Sequence, residues 1–107
     1  MVTERKSPCF EVYSSQIEIL STPEDYYLAL NRLILSSEFR INMSALYIGT
    51  GNKEKFLIDR LGQKLKNNKD IKVNIVLDYQ RSHRIDDKTG SSNILLTNLV
   101  LENISHK

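Results

Sequence analysis

Residues 41–51 read Ile-Asn-Met-Ser-Ala-Leu-Tyr-Ile-Gly-Thr-Gly, and this stretch decides the fold that the sequence predicts. It begins as an alternating run, because side chains on a strand point to opposite faces with a period of two. One predicted face carries Ile41, Met43, Ala45 and Tyr47, and the other carries Asn42, Ser44, Leu46 and Ile48. The second half of the strand is apolar on both faces, which predicts burial on both sides as in a helix-covered parallel sheet. The strand then meets two glycines, and ligands of α/β proteins collect at the carboxyl ends of such strands.

The remaining elements alternate in type on either side of this strand. Thr22, Pro23 and Asp25 have the spacing of a helix start with a capping box. The predicted order is a strand over residues 15–20, a helix over 23–39, a strand over 40–48, a helix capped by Asn52 and ending at 67–68, a strand over 71–78, and a helix capped by Ser91 or Ser92. Strands that alternate with helices in this β-α-β-α-β-α order predict an α/β fold with a mainly parallel sheet.

Length and composition limit the domain organisation. The chain has 107 residues, of which 40% are hydrophobic and 26% charged, so it holds one domain at most. Three predicted strands are few for a sheet covered on both faces. We therefore interpret residues 15–107 as the opening part of a larger α/β domain, and residues 1–14 as a disordered leader.

Composition also excludes several classes of protein. A net charge of +2 is too small to indicate a nucleic-acid partner. No apolar run approaches the roughly 18 residues that a membrane-spanning helix requires. Residues 1–10 have neither the apolar core of a signal peptide nor the arginine-rich character of a transit peptide. The single cysteine, Cys9, excludes an internal disulfide and fits a reducing compartment.

The first candidate site is the turn Gly49-Thr50-Gly51, which Asn52 and Lys53 follow. Glycines let the backbone approach a ligand closely, and the N–H groups that open the next helix attract an anion. Lys53 would add positive charge. The alternative is a plain strand-to-helix turn that uses glycine for its φ angles. The turn matches neither the P-loop nor the dinucleotide-binding pattern.

The second candidate site is the segment Asp78-Tyr79-Gln80-Arg81-Ser82-His83-Arg84. It starts at the carboxyl end of a predicted strand, so it is expected on the same sheet edge as the glycine turn. Arg81 and Arg84 could grip phosphate oxygens in pairs, and Asp78 could orient one of them. The alternative is a solvated loop with incidental charges.

Catalytic groups are scarce in the sequence. His83 and His106 are the only histidines, and neither has acids or a second histidine at metal-ligating or nucleophile-activating spacing. The residues of this chain predict binding without catalysis and without a metal.

Three segments carry a resemblance to a known family: residues 16–20 with the Pro23 helix, Ser44-Ala45-Leu46-Tyr47-Ile48-Gly49-Thr50-Gly51, and Leu77-Asp78-Tyr79-Gln80-Arg81-Ser82-His83-Arg84. The sequence resembles the N-terminal part of eukaryotic phosphatidylglycerophosphate synthases, which belong to the phospholipase D superfamily. The similarity extends over residues 15–100.

The resemblance implies transfer of a phosphatidyl group from CDP-diacylglycerol to glycerol 3-phosphate, in cardiolipin synthesis in mitochondria, with no metal or other cofactor. It implies peripheral membrane association for the whole enzyme and a phospholipase D-type fold. It also implies a nucleotide- or phosphate-binding role for Tyr47, Gly49, Thr50, Gly51, Arg81 and Arg84, although a scaffolding role for these residues stays open.

The sequence departs from the family at the catalytic groups. The family uses two His-x-Lys-x4-Asp motifs, and this chain contains neither. We therefore expect a fragment that is inactive by itself. Two other interpretations stay open: a non-catalytic α/β module that binds a nucleotide or phosphate ligand, and an interaction partner of the full-length enzyme.

Overall fold

A computed structural model describes residues 7–85 and 90–104 and confirms a mixed α/β fold. A short 3₁₀ helix covers Ser14–Gln16. The helices are α1 (Pro23–Ser36), α2 (Asn52–Asn67), α3 (Tyr79–Ser82) and α4 (Ser92–Ile104), and the strands are β1 (Arg40–Ala45) and β2 (Lys72–Leu77). In the described residues, no helix combines the length and the apolar character that crossing a bilayer requires.

The two strands form a parallel pair, as the order of elements predicts. Arg40 lies opposite Lys72 at one end, and Ala45 lies opposite Leu77 at the other. Parallel neighbours need a long crossover between them, and α2 provides it. β1 is three residues shorter than the sequence predicts, because β2 also ends at this point and offers no further backbone partners.

One face of the sheet packs against the helices and the other is open. Ile41, Met43, Val73 and Ile75 point to the helices and belong to or border the core. The buried core consists of Ile34, Ile41, Ile48, Leu57, Ile58, Leu61, Ile71 and Leu99. The predicted burial of both faces of β1 is wrong at Leu46, which is 56% exposed. Leu46 lies beyond the end of the strand, and no described helix covers the opposite face.

The predicted first strand, residues 15–20, is wrong in the described structure. The chain forms the 3₁₀ helix there and then continues without strand pairing, with Ile19 87% exposed. An ion pair of 2.5 Å between Glu18 and Arg32 connects the segment to α1. Period-two alternation predicts which side chains share a face, but a strand forms only where another backbone pairs with it.

Local capping chemistry sets the start of α1. The Asp25 N–H donates to the Thr22 hydroxyl, and the Thr22 N–H donates to the Asp25 carboxylate, both at 3.1 Å. These bonds confirm the predicted capping box, with Pro23 at the first helical position. The helix ends at Ser36 and not near residue 39, because the backbone of Ser37 is extended at φ −68° and ψ 133°, while its N–H and hydroxyl still donate to the Leu33 carbonyl.

Gly62 lies inside α2, where glycine normally weakens a helix. A Cβ atom at this position would lie 3.0 Å from Cδ1 of Leu99 on α4. The glycine therefore lets α4 approach α2 closely enough to bury Leu99 in the core. The packing between α2 and α4 offsets the destabilisation that a glycine causes inside a helix.

Candidate functional site

A cleft opens at the sheet edge where β1 and β2 both end. Its volume is about 350 Å³, and it is lined by Tyr47, Ile48, Gly49, Thr50, Arg81, Arg84, Ile85, Gly90 and Ser92. Because parallel neighbours end at the same edge, the segments that follow them meet across the cleft. Five of the six residues predicted for nucleotide or phosphate contact line it together. Gly51 is not in the lining.

Ser92 fixes the position of the segment after β1, whose residues Tyr47–Thr50 form one wall of the cleft. The Ile48 N–H donates to the Ser92 hydroxyl at 3.0 Å, and that hydroxyl donates to the Ile48 carbonyl. Ser92 is only 4% exposed, so both bonds are shielded from water. Ser91 caps α4 instead, accepting the Ile94 N–H at 3.3 Å. The sequence predicts Ser92 only as a possible helix cap. Its contact with Ile48 joins residues that are 44 positions apart, and no local sequence pattern indicates it.

Asp78 and α3 position the opposite wall of the cleft, which Arg81 and Arg84 line. The Asp78 carboxylate accepts the Arg81 backbone N–H at 2.8 Å and caps α3. Asp78 thus orients the backbone of Arg81, whereas the sequence suggested that it orients a guanidinium group. Arg81 and Arg84 are both exposed at the cleft. Within residues 7–85 and 90–104, no carboxylate forms an ion pair with either guanidinium group.

Lys53 does not add its charge to the cleft. Its ammonium group forms an ion pair with Glu24 of α1 and lies 5.1 Å from the centre of the Tyr27 ring. The hydrogen bond that Lys53 donates to Glu24 raises the pKa of Lys53 above its usual value of 10.5. The positive charge that the cleft offers to a ligand therefore comes from the arginine side.

Comparison with known proteins identifies relatives of one kind. A Dictyostelium discoideum protein, named as a probable CDP-diacylglycerol–glycerol-3-phosphate 3-phosphatidyltransferase, is 36% identical over 91 residues, which is 84% of this chain. The Saccharomyces cerevisiae protein of the same name is 35% identical over 92 residues, 86% of this chain. The human protein, whose name adds "mitochondrial", is 34% identical over 83 residues, 72% of this chain. The chain is homologous to one segment of these phosphatidyltransferases.

The match covers only a small part of each phosphatidyltransferase. The chain spans 16% of the Dictyostelium protein, 17% of the yeast protein and 15% of the human protein. No protein-family model and no solved structure matches the chain.

The chain contains no complete set of catalytic groups among its described residues. His83 is exposed, and its Nδ1 lies 2.7 Å from the Tyr79 carbonyl, which can only accept. Its ring stacks at 4.4 Å on that of Tyr79 and does not line the cleft. His106 lies outside the described residues. No group of three or more possible metal ligands occurs in the described part of the chain. The two exposed guanidinium groups at the cleft can donate hydrogen bonds to an anion.

Proposed function

We propose that this chain forms the phosphate-binding part of an enzyme that makes phosphatidylglycerophosphate from CDP-diacylglycerol and glycerol 3-phosphate. The proposal is based on one cleft that is lined by Tyr47, Gly49 and Thr50 on one side and by Arg81 and Arg84 on the other. The names of the relatives support the choice of substrates, and both substrates carry phosphate groups that such a cleft could bind.

The geometry of the cleft suits such a ligand. Its volume of about 350 Å³ falls in the roughly 300–1,000 Å³ range of small-molecule sites. Guanidinium groups bind phosphate oxygens through two parallel N–H bonds, and an exposed guanidinium without an ion-pair partner among the described residues has these donors available to a ligand. The exposed Tyr47 ring adds an apolar surface beside them. The arginine pair is therefore the proposed phosphate contact, and the Tyr47–Thr50 wall is the proposed contact for the rest of the ligand.

Anion binding by the chain tests this proposal directly. Titration of the purified protein with inorganic phosphate and with CMP should give saturable binding that weakens as salt concentration rises. Arg81→Ala or Arg84→Ala removes charge-assisted hydrogen bonds worth roughly 1.5–3 kcal/mol, and the exposed site favours the lower end, which is about a tenfold loss of affinity. Arg60→Ala is the matched control, because Arg60 stacks at 4.6 Å on Phe56, outside the cleft lining. Equal affinities in all three variants would contradict the proposal.

We also propose that catalysis requires residues that are not in this sequence. Neither His-x-Lys-x4-Asp motif is present, so the purified chain should give no phosphatidylglycerophosphate from labelled glycerol 3-phosphate and CDP-diacylglycerol. Turnover above the no-protein blank would refute this part of the proposal. A mitochondrial location is also proposed, on the names of several relatives.

A second candidate function is a non-catalytic module that binds phosphate or nucleotide. It is favoured by the same cleft, since binding needs no nucleophile. Sequencing the transcript beyond the codon for Lys107 separates the two candidates. Two His-x-Lys-x4-Asp motifs in the same reading frame support the transferase, and an in-frame stop without them supports the binding module.

A further inference from the structure

Glu54 lies against the glycine turn that was the first candidate anion site. It is the third residue of α2, which begins at Asn52 after the N-cap Gly51. A Cβ atom at Gly49 would lie 2.9 Å from Oε1 of Glu54, and one at Gly51 would lie 2.8 Å from Oε2. The two carboxylate oxygens therefore face the turn, one toward each glycine.

The Glu54 carboxylate occupies the space beside both glycines. Among the described residues, only Gly90 has a positive φ angle, and Gly51 is in the extended region at φ −75° and ψ −178°. Backbone conformation at the turn is therefore open to residues other than glycine. A side chain at Gly49 or Gly51 would enter the space that the Glu54 carboxylate fills.

The carboxylate also changes the electrostatics of the turn. The first N–H groups of a helix and its dipole favour a negative charge near its N-terminus. A glutamate in the first turn supplies that charge from the chain itself, and a phosphate at the same place would meet an adjacent like charge. The Lys53 ammonium group is paired with Glu24 and is also attracted by the Glu54 carboxylate, and both contacts raise its pKa.

We propose that Glu54 is a positioning residue: its carboxylate fills the anion position at the glycine turn and directs a ligand phosphate to Arg81 and Arg84 across the cleft. The proposal rests on the proposed function insofar as the cleft binds phosphate. It assigns the Tyr47–Thr50 wall of the cleft to the uncharged part of the ligand, and the arginine side to its phosphate.

Backbone amide chemical shifts of the ¹⁵N-labelled protein during titration with inorganic phosphate test the assignment. The unmodified protein should show shifts at residues 81–84 and none at residues 50–54. Glu54→Ala removes both the charge and the group that fills the position, so residues 52–54 should then respond and affinity should rise about two- to fivefold, as expected for an anion at a helix N-terminus. Responses at 50–54 in the unmodified protein, or an unchanged pattern and affinity in Glu54→Ala, would overturn the proposal.

A second measurement needs no ligand and separates this proposal from the proposed function. Gly49→Ala should lower the melting temperature when Glu54 is present, because the new methyl group displaces the carboxylate. It should have little further effect in the Glu54→Ala background, where no carboxylate is left to displace. Absence of phosphate binding in every variant would refute the proposed function and the direction of phosphate by Glu54, but not the contact of Glu54 with the glycine turn, which the melting temperatures test separately. An equal loss from Gly49→Ala in both backgrounds would refute the role of Glu54.

Discussion

Replacing Ser92 with alanine should destabilise the protein more than any other single serine substitution at the cleft. The change removes two hydrogen bonds to Ile48, one of them 3.0 Å long, from a residue that is 4% exposed. β1 ends at Ala45, so no neighbouring strand can replace these bonds. A lost hydrogen bond costs about 0.5–1.5 kcal/mol, and a buried donor left without a partner costs about 1–3 kcal/mol. The expected loss is therefore about 2–3 kcal/mol.

That loss is large for a domain of this size. Native domains are stable by only about 5–15 kcal/mol, and 1 kcal/mol shifts the melting temperature of a domain of about 100 residues by roughly 4–8 °C. Urea unfolding followed by circular dichroism should show a lower midpoint with an unchanged slope. Amide hydrogen exchange gives the local readout, since the Ile48 N–H should exchange faster in Ser92→Ala.

Two serine variants serve as controls. Ser91→Ala removes only the 3.3 Å cap of the Ile94 N–H and should cost about 1 kcal/mol. Ser44→Ala changes an exposed residue on the open sheet face and should cost less than about 0.5 kcal/mol. A loss in Ser92→Ala no greater than that in Ser91→Ala, with unchanged exchange at Ile48, would refute the reasoning that Ser92 anchors the cleft wall.

Two further predictions concern the core and the ion pair behind the glycine turn. Leu61 is only 1% exposed, so Leu61→Ala should lower the free energy of unfolding in urea by about 2.7–5.0 kcal/mol. Leu33 is 59% exposed, and Leu33→Ala should lower it by less than about 1 kcal/mol. Similar losses in the two variants would contradict the described core. Glu24 raises the pKa of Lys53, so their contribution to stability is complete below pH 10.5 and is lost only as pH rises through the raised value. An NMR titration should place the Lys53 pKa above 10.5 and lower it in Glu24→Gln; an unchanged pKa in that variant would exclude this cause.

The features that the sequence predicted correctly are those determined within a few residues or by the order of elements. Thr22, Pro23 and Asp25 are near neighbours, and their capping box formed as expected. The meeting of Tyr47 with Arg81 follows from topology, because adjacent parallel strands end at one edge whatever side chains they carry. Neither inference required knowledge of which distant side chains touch.

The features that the sequence did not predict depend on contacts between distant parts of the chain. Ile17 and Ile19 alternate like strand residues, but no described backbone pairs with them. Ser92 bonds to Ile48, 44 residues away, and Ser91 beside it takes the cap that either serine could have provided. Glu54 is close to Gly49 in sequence, yet a glutamate in a first helical turn also fits a solvent-exposed side chain. Only the structure shows that its carboxylate lies beside both glycines.

The topology of the sheet also bears on how a binding segment without catalytic groups could work inside a larger enzyme. The glycine turn follows β1 and the arginine segment follows β2, so each strand contributes one wall at the same edge. A further parallel strand beside either one would deliver its following loop to that edge too. A nucleophile on such a loop would lie at the same edge of the sheet as Arg81 and Arg84. The proposed division between binding groups in this chain and catalytic groups elsewhere is therefore compatible with a parallel sheet that continues beside these two strands.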